Sequence, residues 1–445
     1  MLSRASQRKR RRSSRGSGWL PLLALGAVGA GACSQTHIVL ILVDAGAGGD
    51  GGVDAAVGDA RSERGDAGAV LPVAAAVVSA GASHACGIVA GALYCWGTND
   101  QGQLGLGDRN LRAAPGRVGT GADWSAVAAS LANTIALRSD GSLWAWGAND
   151  VGQLGTGTAT GPTGGPLQNA PVRVGTRNDW VRIASRFSHA CAIASDGSLW
   201  CWGQNAEGQL GHNDSYAGDG VANYFAAPTL VPKPGPAPDG GTADRSWISV
   251  DTGQGHTCAV LAPGTLWCWG RNTSAQLGQG STDMQQIRHP VQIGTGSTWQ
   301  DVTCGQQFSC AFAGGVLACW GESDGLQIPG APVGSRAVST PLRILLPGVV
   351  VTASVNFFVG LAITRAGAAI GWGRNVEGQL GLGDTMDRTS PTVIIGDGCT
   401  QVSAGQFFAC GVRLGAIYCT GENNNGQLGL GDTNRRSTPE SLSFP

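Results

Sequence analysis

Residues 96–107 read Trp96-Gly97-Thr98-Asn99-Asp100-Gln101-Gly102-Gln103-Leu104-Gly105-Leu106-Gly107, and degenerate copies of this stretch recur as far as the C-terminus. The copies follow one another about every 50 residues, a period typical of a propeller or solenoid whose units bury their apolar faces against each other. The sequence is therefore a repeat array. The further copies begin at Trp146, Trp202, Trp269, Trp320, Trp372 and, with threonine in place of tryptophan, at Thr420.

The repeat resembles a known family. The pattern W-G-x-N-x-x-G-Q-L-G-x-G, preceded by S-A-G-x-x-H-x-C-A and followed by a strand that starts with proline, is similar to the RCC1 (regulator of chromosome condensation) repeat. The resemblance covers residues 71–445 and implies an all-β fold, a seven-bladed β-propeller with four-stranded blades. Members of one fold perform unrelated tasks, so the function needs separate evidence.

The proline-led strands predict how the ring closes. The chain enters the propeller without such a strand, near Val77, and ends with one that has no blade of its own. We therefore expect residues 439–444 to pair with residues 74–80 and complete blade one, which would remove an open sheet edge. The prolines concerned are Pro115, Pro171, Pro228, Pro290, Pro341, Pro391 and Pro439.

The N-terminal residues 1–33 have the features of an export signal. A basic segment is followed by an apolar one, and Ala30-Gly31-Ala32-Cys33 resembles the lipobox of bacterial lipoproteins, which predicts a lipid on Cys33. A plain cleaved signal peptide is the alternative. Residues 34–70 are rich in Gly, Ala, Asp and Val, a composition that favours a flexible tether. The chain is thus expected at the outer membrane or cell surface of a bacterium, or secreted.

Composition argues against nucleic-acid binding. The net charge is −1, and lysine occurs only at Lys9 and Lys233, so no basic face is available to neutralise phosphates. The repeated glycines lead into a loop and another strand, so they offer no helix N-terminus for a phosphate. We predict neither a cofactor nor a metal.

Ten of the 13 cysteines stand in pairs nine or ten residues apart. Repeats two and six lack both members, with Ile135 and Ala145 or Leu361 and Gly371 instead. Joint presence or loss predicts cross-strand disulfides in an oxidising compartment, whereas a metal would find only two ligands in each pair. The pairs are Cys86 with Cys95, Cys191 with Cys201, Cys258 with Cys268, Cys310 with Cys319, and Cys410 with Cys419.

Cys304 and Cys399 remain outside these pairs. They are expected as buried free thiols, and a bond between distant strands is the alternative.

No residue pattern predicts a catalytic site. His84, His189 and His256 recur two residues before a cysteine, and a position repeated around a ring indicates packing or hydrogen bonding rather than a unique general base. A glycan-cleaving propeller would need carboxylates that converge near the centre of the ring.

The largest insertion, residues 212–245, is the predicted site of partner binding. It holds Tyr216, Tyr224 and Phe225, and aromatic side chains on a loop of a rigid scaffold are typical of binding hot spots. A loop packed against its own propeller is the alternative.

These observations favour a non-enzymatic, monomeric interaction module that is tethered to the bacterial envelope and binds a protein of unknown identity. The alternative is a binder or inhibitor of a secreted enzyme, by resemblance to the β-lactamase inhibitory proteins. Guanine-nucleotide exchange, the activity of the family's eukaryotic namesake, fits poorly with export and disulfides.

Overall fold

A computed structural model describes residues 76–161, 167–212, 223–235, 245–281, 286–324 and 326–445. The secondary-structure elements of these ranges are 28 β-strands, which are joined by turns and loops. The described segments include no helix of the length and apolarity that crossing a lipid bilayer requires. The signal, Cys33, the tether and Tyr216 lie outside the described residues.

Consecutive groups of four strands form seven antiparallel sheets, each in chain order. Blades one and two comprise β1 (Val77–Ala80), β2 (His84–Val89), β3 (Ala92–Gly97), β4 (Arg112–Arg117), and β5 (Trp124–Ala129), β6 (Asn133–Arg138), β7 (Leu143–Gly147), β8 (Gln168–Arg173). Blades three and four comprise β9 (Trp180–Arg186), β10 (His189–Ala194), β11 (Leu199–Gln204), β12 (Tyr224–Leu230), and β13 (Trp247–Thr252), β14 (His256–Leu261), β15 (Thr265–Gly270), β16 (Ile287–Gln292).

Blades five to seven complete the set. Blade five comprises β17 (Asp301–Cys304), β18 (Phe308–Ala313), β19 (Val316–Glu322) and β20 (Ala337–Arg343). Blade six comprises β21 (Val350–Asn356), β22 (Val359–Thr364), β23 (Ala369–Gly373) and β24 (Arg388–Ile395). Blade seven comprises β25 (Cys399–Ala404), β26 (Phe408–Arg413), β27 (Ala416–Gly421) and β28 (Arg436–Ser441).

The first strands of the blades form the centre of a closed ring. Each contacts the first strand of the next blade, and β25 contacts β1. These strands are almost wholly buried, whereas fourth strands such as β8 are half-exposed. The predicted seven-bladed propeller with four-stranded blades is confirmed.

The predicted ring closure is wrong. β28 pairs with β27 of its own blade, with Tyr418 opposite Ser441, and blade one has its own proline-led strand in β4. Each proline-led strand is the last of its blade rather than the first of the next. As the outermost strand it leaves one edge unpaired, where a proline without an N–H costs no ladder hydrogen bond.

Side chains close the ring instead of a shared strand. The ring of Phe444 lies 5.1 Å from that of Tyr94 and 6.2 Å from that of Trp96. The side-chain oxygen of Gln401 accepts a 2.9 Å hydrogen bond from Val78 N, and its amide nitrogen donates to Val78 O. The C-terminal segment therefore touches blade one without joining its sheet.

The repeated tryptophan fastens every blade but the seventh, which has Thr420 at this position, to the one before it. Trp146 Nε1 donates to Gln103 O at 2.9 Å, and a Cβ added to Gly105 would lie 2.7 Å from the same indole nitrogen. The glycine of the G-Q-L-G string is thus required for close approach of the ring. The other indoles that donate to the preceding blade are those of Trp96, Trp202, Trp269, Trp320 and Trp372.

The asparagine and glutamine of the motif hold its loop in shape. Asn99 Oδ1 accepts from Leu104 N at 2.9 Å, while its amide donates to Asp108 O. Gln103 Oε1 accepts from Gln101 N. Leu104 is fully buried against the next blade. The residues of the motif therefore shape the loop after the third strand and pack neighbouring blades together.

The five predicted disulfides are present. Cys86 and Cys95 lie directly opposite each other on β2 and β3, with Cα atoms 4.1 Å apart. The other pairs join the second and third strands of their blades in the same way. Cys304 and Cys399 are buried free thiols, as expected.

Candidate functional site

The recurring histidines link neighbouring blades. His84 Nε2 lies 3.0 Å from Thr134 Oγ1, and that hydroxyl donates to Gln103 O at 2.8 Å. Burial lowers the pKa of His84 to about 4. His189 and His256 make the same contact, with pKa values lowered by burial to about 3. These neutral, buried imidazoles hold blades together and contact no open site.

One buried carboxylate near the centre joins three blades. Asp301 on β17 pairs with Arg182 on β9 at 3.2 Å and accepts a hydrogen bond from Ser249 on β13. All three residues are buried. The carboxylate therefore has internal partners from blades three and four.

A second carboxylate has a similar role. Asp251 Oδ2 accepts from Cys304 N at 2.8 Å and lies 3.8 Å from Arg186 Nε. Burial raises the pKa of Asp251, although Arg186 opposes the shift. Serine or threonine stands at the matching position of most other first strands and accepts the same backbone bond, as Ser79 does from Ala129. Asp251 is thus a charged version of a structural position.

One group of possible metal ligands occurs in the described part of the chain. Atoms of His256, Cys258 and Cys304 lie within 4.8 Å of one another. Cys258 is bonded to Cys268, and the thiolate is the form of cysteine that binds metal. The oxidised group therefore does not fit a metal ion.

The predicted partner-binding aromatics lie on a strand. Tyr224 and Phe225 begin β12, where they pair with Gln204 and Gly203. The ring of Phe225 stacks edge-on against His212 at 4.9 Å and packs on the core between blades three and four. Both side chains are half-buried. Their role in binding stays a prediction.

One face of the ring carries two sets of connections. The turns between first and second strands lie beside the loops that follow the third strands, as the 2.9 Å bond from Thr98 N to Ser83 O shows. We call this side the loop face. Four phenylalanines on its turns form a cluster, which we call the aromatic cap: Phe187, Phe357, Phe358 and Phe407.

The aromatic cap spans the ring. Phe187 belongs to blade three and Phe357 to blade six, which are not neighbours, yet their ring centroids lie 5.4 Å apart. Phe357 also lies 6.4 Å from Phe407 of blade seven. Phe187, Phe358 and Phe407 are half-buried, while Phe357 is buried beneath them. The cap therefore presents aromatic surface over the centre of the loop face.

Two backbone positions in the cap are strained. Phe187 has φ +56° and Phe357 has φ +39°, a region that costs an ordinary residue roughly 1–2 kcal/mol. Such strain persists only where the surroundings impose it, and it concentrates at functional sites. Ala90, Ala275, Leu326 and Leu414 outside the cap share this conformation, so the strain is compatible with a role in binding but does not by itself distinguish the cap.

Arginine lies beside the aromatic rings. The guanidinium of Arg374 stands 5.4 Å from the ring centre of Phe358 and 6.0 Å from that of Phe407. Across the ring, Arg186 and Leu131 line a small hollow next to Phe187. Arg186 Nη1 is buried without a hydrogen-bond partner among the described residues. The cap is thus an apolar surface with cationic neighbours.

The cap was not predicted because its members are far apart in the chain. A comparison of the turns before the second strands would have found the signal. Blades one, four and five carry small or polar residues there, such as Ala82 and Gln254, whereas blades three, six and seven carry phenylalanine.

Comparison with known proteins gives consistent matches. The RCC1-like domain model matches residues 43–355, and the Regulator of chromosome condensation (RCC1) repeat model matches residues 366–412 and 415–445. The Ultraviolet-B receptor UVR8 of Arabidopsis thaliana is 28% identical over 322 residues, which cover 72% of this chain and 69% of the receptor. The human E3 ubiquitin-protein ligase HERC2 is 28% identical over 216 residues, 48% of this chain but 4% of the ligase.

The fold also matches solved structures. Yeast RCC1 (Prp20), crystallised with Kap60 bound, superposes with a TM-score of 0.67 at 19% identity, covering 88% of this chain and 91% of that one. At this identity the similarity shows the fold alone.

Proposed function

This chain belongs to the RCC1-like domain family, and on that premise we propose that it is a non-enzymatic protein-binding propeller held at a bacterial cell envelope. The aromatic cap carries the proposal. The tryptophans, glycines, histidines and disulfides recur from blade to blade and hold the ring together. The cap departs from the repeat and presents half-buried aromatic rings, and aromatic residues are enriched at protein interfaces.

Relatives support binding as the general role. The yeast RCC1 propeller forms a complex with another protein, Kap60. Seven-bladed scaffolds of this kind present rigid surfaces to partners, and rigid aromatic anchors lose little conformational entropy on binding. We place the contact on the loop face, with the aromatic cap at its centre. Tyr216, Tyr224 and Phe225 form a second candidate contact in blade three.

Export is supported by the cysteine chemistry. Five buried disulfides are consistent with an extracellular location, because such bonds persist in oxidising compartments. In the proposal, a lipid on Cys33 and the tether of residues 34–70 hold the propeller at a distance from the membrane. Multiple acyl chains are needed, since one gives only marginal anchoring.

Affinity capture from the envelope and culture fluid of the producing organism tests the binding proposal. Phe187→Asn removes an anchor while keeping a residue that tolerates positive φ. Leu414→Asn is the matched control, because Leu414 also has positive φ (+50°) and is exposed, but lies on a turn at the opposite face. We expect a captured protein to be lost with Phe187→Asn and retained with Leu414→Asn.

A third variant addresses blade three. It replaces residues 213–222 with a short Gly/Ser link and keeps β12, which begins at Tyr224. Loss of the partner in this variant alone would move the site from the cap to the blade-three insertion. Retention of the partner in all three variants would reject the cap and Tyr216 as contacts.

Inhibition of a secreted enzyme is the second candidate. The half-buried aromatic rings of the cap gather on one face, an arrangement that suits contact with a partner's surface. If the captured partner is a secreted enzyme, its activity should fall in proportion to bound propeller. Unchanged activity at saturation would reject inhibition and leave binding in place.

The tether is tested separately. Cys33→Ser removes the predicted acylation site, and we expect the chain to move from the membrane fraction to the soluble fraction of a bacterial host. A wild-type chain that is already soluble would support the cleaved signal peptide instead.

A further inference from the structure

We propose that the aromatic cap binds a protein segment in which a carboxylate side chain stands next to a large apolar one. This inference rests on the proposed function and names the chemistry of the partner. It follows from the arginines that border the cap.

Arg374 is held in a position suited to carboxylate recognition. Its guanidinium lies against the faces of Phe358 and Phe407, which stabilise a cation through their ring quadrupoles. No carboxylate pairs with Arg374 within the part of the chain that the structure describes. A stacked guanidinium keeps its N–H edge free for a bidentate bond to a carboxylate.

A second cation borders the cap from the other side of the ring. Arg186, the last residue of β9, precedes Phe187 at the edge of the cap, and its buried Nη1 has no hydrogen-bond partner among the described residues. Arg186 Nε pairs at 3.8 Å with the buried carboxylate of Asp251, so its charge is already partly balanced inside the protein. The apolar rings, together with the guanidinium of Arg374 that pairs with no carboxylate among the described residues, therefore fit a segment that is both acidic and apolar.

The neighbouring charges set the selectivity. The positions that match Arg374 in blades five and seven hold Glu322 and Glu422, both half-buried. Burial raises the pKa of each, and Asp324 or Glu377 raises it further. These glutamates would repel a purely acidic chain, so the apolar anchor is needed to hold the carboxylate at Arg374.

Selection from a random peptide display library on the full oxidised chain is the first step. Synthetic copies of the enriched peptides are then measured by fluorescence anisotropy, beside copies with Asp and Glu changed to Asn and Gln. We expect enriched peptides to carry an acidic residue next to Phe, Trp or Leu. The neutral copies should bind about tenfold more weakly, since a charge-assisted hydrogen bond is about twice as strong as a neutral one.

Charge variants locate the carboxylate. Arg374→Gln should weaken the acidic peptides about tenfold and leave the neutral copies unchanged, while Glu422→Gln should strengthen the acidic ones. Arg388→Gln is the control. Arg388 begins β24, the outer strand of the same blade, and it already pairs with Asp384. A melting curve for each variant confirms that it is folded.

The outcomes separate this inference from the proposed function. Peptides that lose binding with Phe187→Asn but carry no acidic residue would overturn the inference and leave the cap as a binding surface. If acidic peptides bind the Phe187→Asn and Arg374→Gln variants with unchanged affinity, the cap is not the binding site. No enrichment over a bare surface would count against both.

Discussion

The disulfides allow a quantitative test, because the chain contains its own template for their removal. In blade two, Ile135 and Ala145 occupy the register that Cys86 and Cys95 occupy in blade one. We therefore expect the double variant Cys86→Ile, Cys95→Ala to pack as blade two does while losing the covalent link. The four side chains are all fully buried, so little apolar area changes.

The expected loss follows from loop closure. A sequence separation of 9 closes a loop of about ten residues, which corresponds to about 2.7 kcal/mol at 25 °C. With an unfolding entropy near 2.1 cal/mol/K per residue, the melting temperature should fall by about 3 °C. Five such bonds together contribute about 13 kcal/mol, as much as the entire stability of many domains. The fully reduced chain is therefore expected to remain folded only at low temperature and low denaturant concentration, where its unfolding can still be followed.

The differences in melting temperature and in free energy of unfolding are measured by thermal and denaturant unfolding. Tryptophan fluorescence monitors the transition, with and without reductant. The converse variant, Ile135→Cys with Ala145→Cys, should gain a similar amount when oxidised. In reductant, the difference between wild type and the blade-one variant should vanish. A difference that persists there would show that packing, rather than the cross-link, causes the change, and the loop-closure reasoning would be refuted.

Two further predictions concern blade contacts and pH. Gly155→Ala should destabilise the protein by about 2–4 kcal/mol, because its Cβ would lie 2.7 Å from Trp202 Nε1. Gly157→Ala, also at positive φ but in open space, should cost only about 1 kcal/mol by the same unfolding assay. Burial lowers the pKa of His189 to about 3, so protonation favours the unfolded chain, and stability should fall below pH 6.5 by about 2 kcal/mol per buried histidine at pH 5. His189→Asn, which copies Asn133 of blade two, should flatten the dependence of melting temperature on pH, and an unchanged slope would contradict the assignment.

The blades were predictable because each repeat carries complete local signals. The paired cysteines and the tryptophan string define a hairpin within one repeat, and repetition removes the ambiguity of any single copy. The disulfides followed from the joint absence of Cys at Ile135 and Ala145. These features depend on contacts between residues close in the chain.

Strand order and the aromatic cap were harder to predict for a common reason. A proline-led strand between two hairpins can pair with either one. The loop after Trp96 turns back on its own blade, so that β4 pairs with β3 in blade one. The cap joins residues 187, 357 and 407, whose proximity depends on ring closure. Such contacts leave no local pattern to detect.

The tryptophan that fastens six of the seven blades to their predecessors makes those six junctions alike, and in blade seven the hydroxyl of Thr420 donates to Gly378 O of the preceding blade instead. Trp96 bonds to Gln427 across the junction between the chain ends as Trp146 bonds to Gln103 within the chain. No strand crosses that junction, so one blade coincides with one uninterrupted segment of sequence. We therefore expect a circular permutant that starts at Trp124, with Pro445 joined to Ala76 by a linker, to form the same seven sheets.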